Sequence, residues 1–241
     1  MTNTAIVTGG SKGFGRAVAA ELVRRAWTVL IDGRDADAVR TAARATGAVG
    51  VPGDVTDAEH RAHLVDEAVR RGSLRLVVNN ASSLGTTPLP GLANYPLDAL
   101  RDVLETNVVA PLALVQATLA HLRANRGAVV NVTSDAAVEG YGGWGGYGAS
   151  KAALEQWSRV LSVEEPDVAV WWVDPGDMRT EMHQAAFVGE DISDRPLPAQ
   201  VAPSLIALLD LWPPGGRIVL ADVAHAAGAA GLEDVGKGGG R

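Results

Sequence analysis

The 241-residue sequence has no cysteine, so disulfides and thiolate metal sites are both excluded, and nothing in it indicates an oxidising compartment. Positive charge is also short. Lys plus Arg total 21 against 28 Asp plus Glu, giving a net charge of -7 and a pI near 5.2. No basic run is dense enough to neutralise a track of phosphates, so nucleic acid is not an expected partner. Long apolar runs are missing too: none approaches the roughly 18 residues of a membrane helix. The opening MTNTAIVTGG has neither a basic n-region nor an extended apolar segment, and the expectation is a cytoplasmic protein without a membrane partner. No internal repeat or shift in composition marks a second domain.

What is present is a full complement of core residues, 47% hydrophobic and 20% charged, in a length that suits one α/β core. The expected domain is 1–224, followed by a mobile glycine-rich tail, 225–241, ending GLEDVGKGGGR. Short apolar runs at 5–7, 29–31, around 49–51, 74–78, 128–132, 168–173 and 217–220 read as strands. Helical patterns separate them, following the glycine-rich turn and at 35–45, 57–71, from 97 onward, from 146 and at 198–211. This alternation predicts a doubly wound Rossmann-type α/β fold, with a seven-stranded parallel sheet flanked by helices and ligands at the strands' carboxyl ends. Residues 176–198 form a polar connection longer than usual, a candidate binding loop or lid.

Directly after the first strand, Gly9, Gly13 and Gly15 in TGGSKGFG suit a sharp turn in which bare backbone approaches an anion at a helix N-terminus. The spacing is neither GxGxxG nor a P-loop, and an ordinary glycine-rich turn would look similar. Tyr147 and Lys151 in YGASK lie four apart, on one helical face, so an ammonium sits beside a phenol and favours its ionised form. Such pairs also occur by chance on exposed helices.

In its TGxxxGxG turn, its Asn79-Asn80-Ala81-Ser82 segment, its YGASK, and a serine (Ser134) thirteen residues before the tyrosine, the sequence resembles the classical short-chain dehydrogenases/reductases. The resemblance spans most of the chain. One departure is the serine where the family's NNAG ends in glycine. The resemblance implies hydride transfer between a nicotinamide and a ketone or secondary alcohol. Ser134 would polarise the substrate oxygen and Tyr147 transfer the proton. Lys151 would lower the tyrosine pKa and bind the nicotinamide ribose, and Asn107 would position a relay water. Asn107, in ETNVVAPLAL, also suits a capping or core amide. Implied cofactor contacts are Gly9, Ser11, Lys12, Gly13, Phe14 and Gly15 in the turn, Arg34, Asp54 with Val55, Asn80 with Ala81, Tyr147, Lys151, and Pro175, Gly176 and Thr180. Self-association as a homodimer or homotetramer, through helices near 97–124 and 146–163, is implied as well.

In VLIDGRD the position at which NAD-preferring members carry an acid falls on Gly33, followed by Arg34, and Lys12 adds a second cation. Two cations against one anion favour NADP(H) over NAD(H). Asp32 complicates this: a register one residue off would set its carboxylate on the ribose and turn the preference to NAD. Trp144 and His183 are candidate walls of the substrate pocket, together with Ser134, and exposure is the alternative for His183. Tyr141 competes as a phenol but has no lysine four residues on. His60 and His63, near Glu59 and Glu67, lack a third convergent ligand and read as a solvated helix face, so no metal is expected. The rival functions are a non-catalytic NADP(H)-binding regulator or scaffold, a dehydratase or epimerase using the cofactor transiently, and an NAD-dependent alcohol dehydrogenase.

Overall fold

The computed structural model describes residues 2–224, and the expected tail 225–241 lies outside the described residues. Seven strands form the sheet: β1 Asn3–Val7, β2 Thr28–Gly33, β3 Val49–Pro52, β4 Ser73–Asn79, β5 Ala128–Val132, β6 Ala169–Asp174 and β7 Gly216–Val219. Their order is β3-β2-β1-β4-β5-β6-β7, and every neighbouring pair is parallel. The doubly wound architecture read from the sequence is the one observed. Because both faces are covered, the strands are apolar on both sides: in β1, Ala5 and Val7 enter one core cluster and Ile6 the other.

One face is covered by α1 (Gly13–Arg24), α2 (Ala36–Thr46) and α8 (Pro198–Leu211), through residues such as Val18, Leu22, Ala42 and Leu205. The opposite face carries α3 (Ala58–Arg71), α5 (Ala110–Asn125) and α6 (Gly145–Glu164), through Leu64, Leu114, Leu122 and Leu161. Local chemistry sets the helix starts. The Asp35 carboxylate accepts the N–H groups of Asp37 and Ala38, and the Asp57 carboxylate accepts that of Glu59.

The helix expected from residue 97 onward is present and holds a turn the sequence did not announce. Leu97–Asn125 is one continuous 29-residue helical stretch, long and apolar enough to cross a membrane by length and composition, with a mean hydropathy of 1.4. Its apolar character has a local cause, since Leu114, Val115 and Leu122 are sealed into the second core cluster. Within it, α4 (Leu97–Leu104) passes into α5 through a π-helical turn at Glu105–Val109. The long connection after β6 holds a short helix, α7 (Glu181–Ala186), whose first turn is capped by Thr180 Oγ1 accepting the His183 N–H.

Strand order reverses between β1 and β4, which opens a crevice at the carboxyl ends of these strands. There the structure has a cleft of about 1300 Å³, bordered by the glycine-rich turn, the ends of β2, β4, β5 and β6, α6 and α7.

Candidate active site

At one end of the cleft the glycines form a tight turn that admits no side chain. Gly9 has φ +63°, and an added Cβ would fall 2.9 Å from the Ala81 Cα; at Gly15 it would fall 2.4 Å from Asn80 Nδ2 and 2.8 Å from the Gly9 carbonyl. Asn80 locks the turn, its Nδ2 donating to the carbonyls of Thr8 (2.9 Å) and Gly9 (3.2 Å). Thr8 Oγ1 in return accepts the N–H groups of Asn80 and Ala81, both at 3.0 Å. This leaves a bare backbone cradle that fits a dinucleotide pyrophosphate.

One expectation and one alternative reading fail here for one reason. Asp32 does not face a ribose: it is buried, its Oδ1 accepting the Gly9 N–H at 2.6 Å and its Oδ2 lying 3.1 Å from His60 Nε2. His60 therefore does not belong to a solvated helix face. It is buried against Gly53, where an added Cβ would fall 2.1 Å from its Nδ1, while His63 is exposed. Packing of α3 on the end of β2 converts both residues into supports of the turn.

Arg34 is exposed at the cleft and has no hydrogen-bonded partner among the described residues. Lys12 is instead paired with Glu181 of α7, a bridge across the cleft mouth. Ser11 sits against Gly33, and Phe14 and Val55 are buried beneath the cleft. Burial pushes the Asp54 carboxyl up, but hydrogen bonds from the Thr56 N–H and hydroxyl, with Arg34 and His60, hold it below its ordinary value. Pro175, Gly176 and Thr180 border the cleft from the β6 side, and Asp174 Oδ1 accepts the Gly176 N–H at 3.0 Å.

At the other end, Tyr147 and Lys151 are buried on one face of α6. Lys151 Nζ donates to the Val132 carbonyl at 2.8 Å and lies 5.4 Å from the Tyr147 ring centre. Burial brings the Lys151 ammonium down to about 7. The phenol, expected to be lowered by the lysine, is instead raised. Burial is the largest cause, the hydroxyls of Ser82 and Ser134 pull down, and Asp174 and Asp135 push up. A lysine that has itself lost hydration and much of its charge does not overcome this.

Ser134, at the end of β5, caps a single 3-10 turn (Asp135–Ala137), its Oγ accepting the Ala136 N–H at 3.2 Å and donating to Asp135 Oδ1 at 2.8 Å. Asp135 Oδ2 accepts the hydroxyl of Tyr141 at 3.0 Å. Asn107 lies buried in the π-helical turn, with its side chain fully used. Nδ2 donates to the Ser83 carbonyl and Ser150 Oγ, each at 2.9 Å, and Oδ1 accepts from the Ser83 N–H (2.8 Å) and Ser82 Oγ (3.2 Å). A water held by this residue would need its main-chain carbonyl rather than its amide. Trp144 and His183 join one aromatic wall: Trp144 is 5.7 Å from Tyr147 and 5.9 Å from Phe187, and Phe187 is 4.6 Å from His183, ring centre to ring centre.

Residues 3–191 match the family model for short chain dehydrogenases. The chain belongs to the short-chain dehydrogenases/reductases. Similar proteins include the short-chain dehydrogenase/reductase FrzI of Cladobotryum sp., 38% identical over 76% of this chain and 73% of that protein. Serine 3-dehydrogenase of Rhizobium radiobacter is 33% identical over 75% of this chain and 74% of its own. A Shigella flexneri short-chain dehydrogenase solved with NADP has a TM-score of 0.81 at 29% identity, covering 91% of this chain and 97% of its own. An Escherichia coli counterpart solved with NADPH has a TM-score of 0.82 at 28% identity, covering 90% and 96%. As a member of this family the chain is a nicotinamide-dependent oxidoreductase of CH–OH and C=O groups in small molecules.

Several groups in and behind this dehydrogenase's cleft carried no signal in the sequence. Behind Ser134, Arg217 of β7 bonds Glu155 Oε1 and Asp174 Oδ2, each at 3.0 Å, and the Ser134 carbonyl at 3.3 Å. It lies 83 residues from that serine, and only the sheet order brings them together. Thr8, Glu181 and Phe187 were missed likewise. Asp135 had the one available clue, adjacency to Ser134.

Proposed function

We propose that this short-chain dehydrogenase uses NADP(H) in preference to NAD(H), with Tyr147 as the proton-transfer residue, to interconvert a ketone and a secondary alcohol. The observation that carries the reading is the shape of one cleft, with Ser134, Tyr147 and Lys151 at one end and an exposed Arg34 beside a bare glycine cradle at the other. The Gly9–Gly15 backbone would hold the pyrophosphate, Asp54 with Val55 the adenine, and Arg34 the 2'-phosphate, with Asp32 consumed by Gly9 and His60 and so unable to oppose it. When bound, the nicotinamide accepts or supplies a hydride. The Tyr147 hydroxyl gives its proton to the substrate oxygen in the reductive direction, which suits a phenol whose burial keeps it protonated. Ser134 orients that oxygen, Lys151 holds its amino group against the Tyr147 ring, and Asn107 fixes the 82–83 loop against α6. NADP(H) bound to the similar Shigella and E. coli proteins supports the cofactor preference. Exposed Val109, just before α5, and Val160 and Val163 on α6 support a homo-oligomer.

The test is loss of NADPH absorbance against a panel of ketones, quinones and ketoacyl thioesters, with oxidation of serine and L-fucose, after which similar proteins are named, in the reverse assay. Tyr147→Phe should cut turnover by about 10²–10⁴-fold and still bind NADPH. Equal turnover in the variant would remove Tyr147 from the chemistry.

A further inference from the structure

The substrate end of the cleft holds a carboxylate that the reaction does not need. Asp135 follows Ser134 directly, and its three donors are all neutral: Ser134 Oγ and the Ala136 N–H, each at 2.8 Å, and Tyr141 Oη at 3.0 Å. Other acids nearby have cations. Asp174 is paired with Arg217 at 3.0 Å, and Asp177 lies 3.6 Å from Arg195 and 3.7 Å from His183 Nδ1. Asp135 forms no ion pair among the described residues, and Glu139 and Asp177 add further negative potential around Tyr141.

Distance ties this charge to the reacting atoms. On the reading above, the substrate oxygen takes the single Ser134 hydroxyl proton that otherwise goes to Asp135 Oδ1, so both oxygens lie around Ser134 Oγ and the substrate oxygen comes within roughly 6 Å of the Asp135 carboxylate. A substituent on the carbon next to the reacting one reaches that far. The walls there are the rings of Tyr141, Trp144 and Phe187, whose faces attract cations. His183 lines the same end, its side chain nine-tenths buried and its Nε2 sealed from solvent without a partner. An unpaired carboxylate among aromatic rings suits an organic ammonium.

We propose that Asp135 is a specificity-determining residue that selects amino ketones and amino alcohols, the ammonium lying one or two carbons from the reacting carbon. This rests on the oxidoreductase reading of the same cleft and adds its substrate class. Substrates bearing a carboxylate at that place are repelled.

The experiment measures binding and turnover separately. The NADPH-loaded protein is titrated by calorimetry with a methyl ketone bearing trimethylammonium on the carbon beside the carbonyl, and with its tert-butyl isostere, equal in shape and different in charge. The expected result is binding of the cation roughly tenfold tighter than the isostere. Asp135→Asn should erase that gap. Asp135→Glu should keep it, as should Tyr141→Phe, which removes a hydroxyl and leaves the charge. Equal binding of the two ketones by the wild-type protein, or an equal loss for both in Asp135→Asn, overturns the proposal. NADPH absorbance in the same samples reads the underlying chemistry: a charge gap in binding without reduction of either ketone supports recognition by Asp135 and overturns the reductase reading alone.

Discussion

Lys151 shows what a single buried charge does to this enzyme. An ammonium held to one carbonyl, with its ordinary value brought from 10.5 to about 7 by burial, is neutral in the folded protein across a pH range where the unfolded chain keeps it charged. Between those values the unfolded state binds more protons, so this residue makes stability rise with pH, by about 1 kcal/mol per unit at the steepest. Tyr147 acts above its ordinary value of 10, where the unfolded chain ionises first and stability falls again. Urea titrations from pH 7 to 10 should therefore show a rising midpoint in the wild-type protein and a flat one in Lys151→Met; parallel slopes in the two would refute the assignment. A 2'-phosphate contact is also a matter of one residue. Arg34→Ala should weaken NADPH binding about tenfold and NADH binding far less, and equal losses for both would remove Arg34 from cofactor choice.

At the scale of elements, the cleft depends on supports contributed from a distance. Strand β7 lies at the sheet edge, yet through Arg217 it connects α6, the end of β6 and the backbone of Ser134. Removing that guanidinium leaves Glu155 and Asp174 buried without a cation, both below a tenth exposed. Arg217→Met should therefore cost about 3 kcal/mol in urea unfolding, since a lone buried carboxylate loses more than the pair contributes. A loss below about 1 kcal/mol would mean that water takes the place of the arginine. Helix α7 is tied across the cleft mouth in a weaker way, by the exposed Lys12–Glu181 pair. Glu181→Gln frees Lys12 for phosphate, and stopped-flow NADPH binding should show a faster association that rising salt abolishes.

The molecule as a whole was legible in the sequence wherever local chemistry decided the outcome. Strands covered on both faces appear as short apolar runs, and Asp35 and Asp57 announce their helices. Tertiary packing decided the rest: it buried Asp32 with His60, brought Arg217 to Ser134, and hid a π-helical turn inside an apolar stretch whose periodicity continues on either side of it. Helix α7 is only six residues long and has only Thr180 and Glu181 as start signals. Surface residues are legible in the opposite sense, because an apolar side chain that the fold leaves in water needs another reason to be there. Val163 is 79% exposed and Val160 45% on α6, and Val109 is 48% exposed at the start of α5, the two helices expected to meet a second copy. Because these side chains make little contact within the chain, the double change Val160→Asp and Val163→Asp should leave the thermal unfolding midpoint of the isolated chain nearly unchanged. It should also place two carboxylates in an apolar contact. Light scattering after size exclusion should then give a dimer or tetramer for the wild-type protein and a monomer for the variant, whereas an oligomer of unchanged size in the variant would move the interface to another face.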